Sequence, residues 1–415
     1  MSLYKILQNM PDTGTLRVDV TDNIGRPIEN ATAEISVTGE PEDIIETVNT
    51  DSNGHTDAVS LPAPPMEYSE NPGVSQPYSE YSIIVRAPGY APVSVNGIDI
   101  FSARRSIQDV RLTPYITDPN GTVITIGPNT LFGDYPPKIP EAMIKPITSR
   151  GEIVLDRVVV PETVIVHDGV PTDSNATNYY VSFPDYVKNV ASSEIYPTWP
   201  EATLTANIIA IISFTLNRVY TEWYRNKGYN FTITSSTAYD HKWIHERNIF
   251  ENIGLIVDEI FADYLSKPDV KQPLLTQYCD GKRTTCSGMS QWGSKYLGDD
   301  NYSAIQILRN YYGSDVYINT AEEVAGIPAS WPGYTLDIGD SGTPVRTIQE
   351  QLNAIRRTYS NIPALAIDGI YGEDTAAAVS SFQSIFDLPV TGEVNQKTWY
   401  KISQLYVALE KLAEL

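Results

Sequence analysis

Hydrophobic and polar positions alternate near the start of the chain. Leu16, Val18 and Val20 share one phase, and after a turn at 22–27 so do Ala33, Ile35 and Val37. A period of two predicts strands with one buried face. The run 81–85 and the pair Val93 and Val95 predict later strands, separated by the turn Ala87-Pro88-Gly89-Tyr90. Short strands punctuated by Gly, Pro, Asn and Asp predict a small β-sandwich over 14–113. The pattern then breaks. Pro114, Pro119, Pro128, Pro136, Pro137, Pro140 and Pro146 predict an extended connector. It ends at Ser149-Arg150-Gly151, a candidate protease site.

Beyond it, 158–160 and 164–166 predict strands. The period then becomes helical: Leu204, Ile208, Ile211, Ile212, Leu216, Val219 and Tyr220 recur on one spacing. Pro200 suits a first helical position, and Glu201 suits the positive end of the helix dipole. Residues 331–415 predict a compact helical module with a repeated turn. Ile367-Asp368-Gly369-Ile370-Tyr371-Gly372 precedes Thr375 and a helix over 376–382. Val390-Thr391-Gly392-Glu393-Val394 precedes Thr398 and Trp399. Each reads as a tight glycine turn leading to a helix cap. The fold class is multidomain α+β, with an N-terminal β-sandwich (1–113), a connector (114–150), a central α+β domain (151–330) and a C-terminal small helical bundle (331–415).

Composition narrows the partners. The 415 residues are 41% hydrophobic and 19% charged, as in folded globular chains. The net charge of −22 is spread along the chain. It argues against nucleic acid or an anionic membrane as partner and leaves a neutral or mixed-charge polymer open. No apolar run reads as membrane-spanning, since 208–212 is interrupted at Ser213. Residues 1–12 lack the basic region and apolar core of a signal peptide, which predicts an intracellular or a processed start. Two cysteines, Cys279 and Cys286, exclude a disulfide scaffold. Two separate thiols are the favoured reading, with a disulfide or a metal site completed by one more ligand as alternatives. His241 and His245 lack the HExxH order and read as surface or partly buried polar residues.

Three motif sets carry resemblances. The opening V-x-V, "TDSNG" at 50–54 and "APGY" at 87–90 resemble the carboxypeptidase regulatory-like fold, whose modules pack or bind. "GDSGTPVRTIQEQL", "DGIYGEDTAAAVSSFQ" and "TGEVNQKTW" resemble the type 1 peptidoglycan-binding domain, which implies docking on glycan or stem peptide. "VASSEIYPTWP" (190–200) with the helix after it, and "GMSQWG" (288–293) with "ILRNYYGSD" (307–315), are similar to the sporulation stage II protein D family. That family includes lytic transglycosylases, and the resemblance puts Glu194 on its catalytic glutamate. Such an enzyme cuts between N-acetylmuramic acid and N-acetylglucosamine, using the sugar's own 6-hydroxyl as nucleophile. One carboxyl then serves as acid and base, whereas the usual hydrolase needs two. Glu201 is the rival carboxylate, read as a dipole partner. Ser290, Gln291 and Trp292 are candidates to line a sugar groove, as is Tyr239, with Asp240 beside it.

The chain departs from that family. "NFTITSSTAYDHKW" (230–243) has no cysteine, and "TCSGMSQWG" (285–293) lacks a family histidine, so a zinc site is not carried over. No metal and no cofactor are expected. The whole order of modules resembles the clostridial spore cortex-lytic enzymes. That implies a stored precursor, clipped within 114–151 by a germination protease, with spore cortex peptidoglycan as substrate. It implies location in the spore, where no export signal is needed, and neither nucleic acid nor membrane as partner. The prosegment would block the cleft or hold the precursor in place. The rival readings are an amidase cutting the muramic acid–alanine bond and a non-catalytic enhancer of a partner amidase.

Overall fold

The computed structural model describes residues 7, 9–73, 75–117, 121–146, 154–321, 323–326 and 331–413. Ser149-Arg150-Gly151 lies outside them. The alternating stretches form strands: β1 (Asp12–Asp22), β2 (Thr32–Val37), β3 (Ile44–Asn49), β4 (Val59–Ala63), β5 (Tyr78–Arg86), β6 (Val93–Phe101), β7 (Arg105–Leu112) and β8 (Thr122–Thr125). They make two sheets, one ordered β7-β1-β4 and the other β3-β2-β5-β6-β8. Leu16, Val18, Val20, Ala33, Ile35, Tyr81, Ile83, Val85 and Val95 are all fully buried in the core between them. Burying one such aliphatic side chain stabilises by about 1.5–3 kcal/mol. Gly54 of the "TDSNG" turn has φ +80°, and a Cβ there would stand 2.4 Å from the Val20 carbonyl oxygen. Only glycine fits that approach.

The central region follows: β9 (Val159–Val160), β10 (Thr163–His167), β11 (Asn178–Ser182), α1 (Phe183–Glu194), α2 (Glu201–Tyr220), β12 (Ile233–Thr234), β13 (Ile249–Phe250), α3 (Glu251–Ile260), β14 (Asp263–Ser266), β15 (Tyr278–Cys279), β16 (Met289–Ser290), α4 (Gln291–Asp299), α5 (Ala304–Tyr312), β17 (Tyr317–Thr320) and β18 (Glu323–Val324). Its centre is α2. Ile208, Ile209, Ile211, Ile212, Phe214 and Leu216 are each at most 1% exposed. Two of the hydroxyls on α2 bond back into the helix, Ser213 and Thr215 donating to the Ile209 and Ile211 carbonyls at 2.6 and 2.8 Å. By length and composition this helix could cross a membrane, contrary to the run-length reading. In the fold it is a core helix, with 83% of its apolar window buried. Pro200 is the cap residue (φ −54°, ψ 143°) and not the first helical residue, so the helix begins at Glu201.

The sandwich is not a separate lobe. β13 pairs antiparallel with β7, Ile249 opposite Ile107, and so extends the first sheet. Asp99 of β6 and Arg247 form a fully buried ion pair across the junction. Trp199 Nε1 donates to the Ser69 carbonyl at 3.0 Å.

The proline-rich stretch leaves β8 and threads over the central region as a strap, residues 126–146. Asn129 is fully buried, and Thr130, Leu131, Tyr135, Lys138 and Lys145 are nearly so. Proline supplies the extended backbone, and polar side chains supply the attachment.

The C-terminal module holds α6 (Thr343–Ile355), α7 (Glu373–Ile385) and α8 (Gln396–Ala413). Its repeated turns are each built around a buried glutamine. Gln349 donates to the Ile370 carbonyl at 3.0 Å and the Thr375 hydroxyl, and accepts from the Gly369 N–H at 2.8 Å. Gln383 donates to the Glu393 carbonyl and the Thr398 hydroxyl, and accepts from the Gly392 N–H, all within 3.2 Å. Thr375 and Thr398 therefore sit inside the first helical turn as partners of these glutamines, not as caps. Arg17 of β1 reaches Asp387 beyond α7 at 2.7 Å, and Lys397 of α8 donates to the Leu255 carbonyl of α3 at 2.8 Å.

Candidate active site

Glu194 is the last residue of α1 and is 0% exposed. Local sequence explains its place. Ser182 caps the helix, its Oγ accepting from the Asp185 N–H at 3.3 Å. Phe183, Tyr186, Val187 and Val190 anchor the apolar face in the core. The helix stops because Ile195 turns extended (φ −130°, ψ 158°) ahead of Pro197. The strap covers this end. The Asn129 amide donates to the Ser192 and Ile195 carbonyls, and the Thr130 N–H donates to the Ser193 carbonyl at 2.9 Å. Carbonyls at a helix terminus otherwise lack partners.

Both carboxyl oxygens of Glu194 are held. Oε1 accepts from the Lys242 N–H at 2.6 Å, and Oε2 pairs with the Tyr278 hydroxyl. The Gln291 amide donates to the Glu194 backbone carbonyl at 3.2 Å. Burial pushes the carboxyl pKa above its ordinary value, while the Lys138 ammonium, the Tyr278 hydroxyl and the Lys242 N–H pull it down. Burial likewise pushes the Lys138 pKa down, against the attraction of Glu194 and Asp240. The His241 ring stacks on Tyr278 with centroids 5.6 Å apart, and its Nδ1 lies 3.0 Å from the Tyr186 hydroxyl. Burial, with Lys138 and Arg218 nearby, pushes its pKa well below the usual range, so the imidazole is neutral.

Two other buried carboxylates have structural duties. Asp240 takes Arg218 at 2.7 Å on one oxygen, and Tyr224, Thr234 and the Thr234 N–H on the other. Asp280 Oδ1 accepts from the N–H groups of Lys282, Arg283 and Thr284. Glu201 is exposed in the first turn of α2. Among the described residues Glu194 therefore stands with a phenol, an imidazole and an ammonium, without a second free carboxylate beside it.

The other site residues predicted from sequence divide. Ser290 caps α4, its Oγ accepting from the Gly293 N–H at 2.9 Å. Gln291 is fully buried and grips Glu194 through its backbone. Trp292 is 1% exposed and packs 5.0 Å from Trp199, so it offers no face to a sugar in this state. Tyr239 is half-buried, and its carbonyl accepts from Arg218 at 3.2 Å. Cys279 and Cys286 form a disulfide with Cα atoms 6.0 Å apart, which corrects the reading of two separate thiols. Parallel pairing of β15 with β16 brings them together. Among the described residues no group of three His, Cys, Asp or Glu is placed to hold a metal ion. Sequence reasoning missed Tyr278, Lys242, His241 and Lys138. His241 carried a faint signal, an isolated histidine between Asp240 and Trp243 in a stretch already aligned with the family. A cavity of about 280 Å³ lies elsewhere, between the start of α1 and α8, and Glu194 does not line it.

Residues 341–402 match the profile of the peptidoglycan binding domain. A zinc D-Ala-D-Ala carboxypeptidase of Streptomyces albus G is 41% identical over 76 residues, 18% of this chain and 28% of that protein. The chain thus spans little more than a quarter of that relative's length. Among solved structures, the SleB N-terminal domain is similar at 27% identity over 19% of this chain and 99% of its own, with TM-score 0.17. The Bacillus anthracis TIE protein shows 16% identity over 25% of this chain and 17% of its own, with TM-score 0.18. Catechol 1,2-dioxygenase from Acinetobacter sp. ADP1 shows 15% over 25% and 53%, also with TM-score 0.18. The profile match is confined to 341–402 and supports a cell-wall-related role through that module.

Proposed function

We propose that this protein is a lytic transglycosylase of spore cortex peptidoglycan, stored as a precursor and activated by a germination protease that cuts within 114–151. The observation that carries the reading is Glu194: fully buried, doubly hydrogen-bonded, and pushed toward the protonated state, with no second free carboxylate at its side among the described residues. A protonated carboxyl in a dry site is a competent general acid. In the proposed step Glu194 gives its proton to the glycosidic oxygen as the muramic acid C1–O bond breaks. The N-acetylglucosamine end leaves as an alcohol. The carboxylate then takes the proton of the muramic acid 6-hydroxyl as O6 bonds to C1, which closes the 1,6-anhydro ring and restores the acid. Tyr278 and the Lys242 N–H hold the carboxylate between the two transfers. Neutral His241 adds no competing positive charge. Water is not consumed, so one carboxyl suffices.

The closed site supports the precursor half. Glu194 is fully buried, with the strap's Asn129 and Thr130 bonded to the main chain at its helix end and the Lys138 ammonium near its carboxyl, an arrangement suited to keeping glycan out of the precursor. The test is Glu194→Gln in the cut chain, digesting purified cortex. Anhydro-muropeptides, read by mass spectrometry, should fall at least about 100-fold, the usual size of a lost general acid. Release at the parent rate would sink the assignment.

A further inference from the structure

Residues 138–145 of the strap are gripped in a repeated way. Gln277 donates from Nε2 to the Ile139 carbonyl at 2.8 Å and accepts on Oε1 from the Glu141 N–H at 3.1 Å. Gln272 repeats this on Lys145, donating to its carbonyl at 3.0 Å and accepting from its N–H at 2.9 Å. Both glutamines are about 95% buried. The groove's backbone adds the Ala238 carbonyl, accepting from the Ile139 N–H, and the Leu275 N–H, donating to the Met143 carbonyl, each at 2.8 Å. The Trp223 ring lies 4.0 Å from the Lys145 ammonium. At the other end the Lys138 ammonium stands 4.8 Å over the Tyr278 ring, next to Glu194. His241 Nε2, on the ring stacked against Tyr278, is buried with no hydrogen-bond partner.

Such a lining is unlike a core built to be permanent. Buried amides contribute little net stability when paired and are costly when left alone. Apolar packing would hold a fixed segment at less risk. A glutamine offering both donor and acceptor reads a secondary amide, N–H and C=O together. The acetamido groups of N-acetylated sugars and the bonds of a stem peptide share that chemistry, and the groove ends at the acid. We propose that the groove filled by 138–145 is the substrate groove, that Gln272 and Gln277 read secondary amides of peptidoglycan there, and that the strap is its built-in occupant. The identity of the polymer rests on the lytic reading of Glu194; the groove itself does not.

The test uses the full chain. With a soluble N-acetylglucosamine tetramer at millimolar concentration, amide hydrogen exchange at Ile139, Glu141 and Lys145 should quicken several-fold while β1–β7 stay protected. A stem tripeptide free of glycan is the second arm. A response to the tetramer assigns the amides to the sugars, and a response to the tripeptide assigns them to the peptide. The pair Lys138→Met with Glu141→Gln loosens the strap yet leaves Arg218 an acceptor. It should bind the responding probe about tenfold more tightly, and adding Gln277→Glu, which removes the amide donor, should cancel that gain. Unchanged exchange with both probes overturns the proposal without needing any variant to fold. A gain that survives Gln277→Glu overturns it too. Glu194→Gln should leave probe binding intact, so failure of the groove and failure of the acid are read separately.

Discussion

Glu194 combines two demands at one position, since burial that readies an acid also strains the fold that holds it. A carboxyl whose folded pKa is raised contributes stability below its unfolded pKa, and that contribution is lost as pH rises through the folded pKa. Glu194 has this direction. Glu194→Gln should therefore raise the melting temperature at pH 7 relative to the parent, and the gain should shrink toward pH 4. Thermal melts at both pH values check it; an equal gain at both would contradict the burial argument. This glutamate was legible in the sequence through its motif. Its partners were not. Tyr278 lies 84 residues away and Lys242 lies 48 away, and no local spacing announces a contact set by the packing of β15 against α1.

At the level of elements, the 279–286 loop is where chemistry and stability meet. The disulfide closes a short loop right after Tyr278, and Asp280 caps the same loop from inside. Reduction should cost about 2–3 kcal/mol in the loop-entropy picture for so short a ring. It should also lower the turnover of the cut enzyme, because Tyr278 loses a fixed neighbour. Denaturant melts and cortex digestion, with and without dithiothreitol, check both; unchanged turnover would separate the loop from the site. The glutamine turns give a parallel case. Gln383→Ala should cost about 1–3 kcal/mol, since it strands the Gly392 N–H and two hydroxyls. Chemical denaturation followed at Trp399 measures it. The turns themselves were readable, because Gly369 and Gly392 have φ near +75°. The glutamines were not, because a polar residue on a helix face looks solvated until its turn folds back onto it. Strand positions were readable where apolar residues alternate or run together, as at Leu16, Val18 and Val20 or at 158–160, and unreadable at β13, where Ile249 and Phe250 make the whole strand.

Across the whole molecule, the modules named from sequence are joined more tightly than their order suggests. β13 completes a sheet of the sandwich, and Asp99 pairs with Arg247 beneath it. Asp99→Ala should destabilise by about 3–5 kcal/mol, the usual cost of orphaning a buried charge. Replacing both residues by neutral ones should cost markedly less, and a double-mutant cycle on unfolding free energies reads the difference. Composition marked the proline-rich stretch as a connector. It did not show that Asn129, Lys138 and Glu141 fasten the stretch down, because proline density reports backbone shape and says nothing of what the intervening side chains touch. The strap and its seat belong to one chain, so they meet at a local concentration fixed by geometry, on the order of millimolar for short tethers. That concentration does not change when the protein is diluted. A single cut at 147–151 would make the strap part of another molecule, whose rebinding does depend on dilution. Activity after such a cut should then appear with a lag that shortens as the protein is thinned, so the state of the molecule is set by covalent continuity and the volume around it.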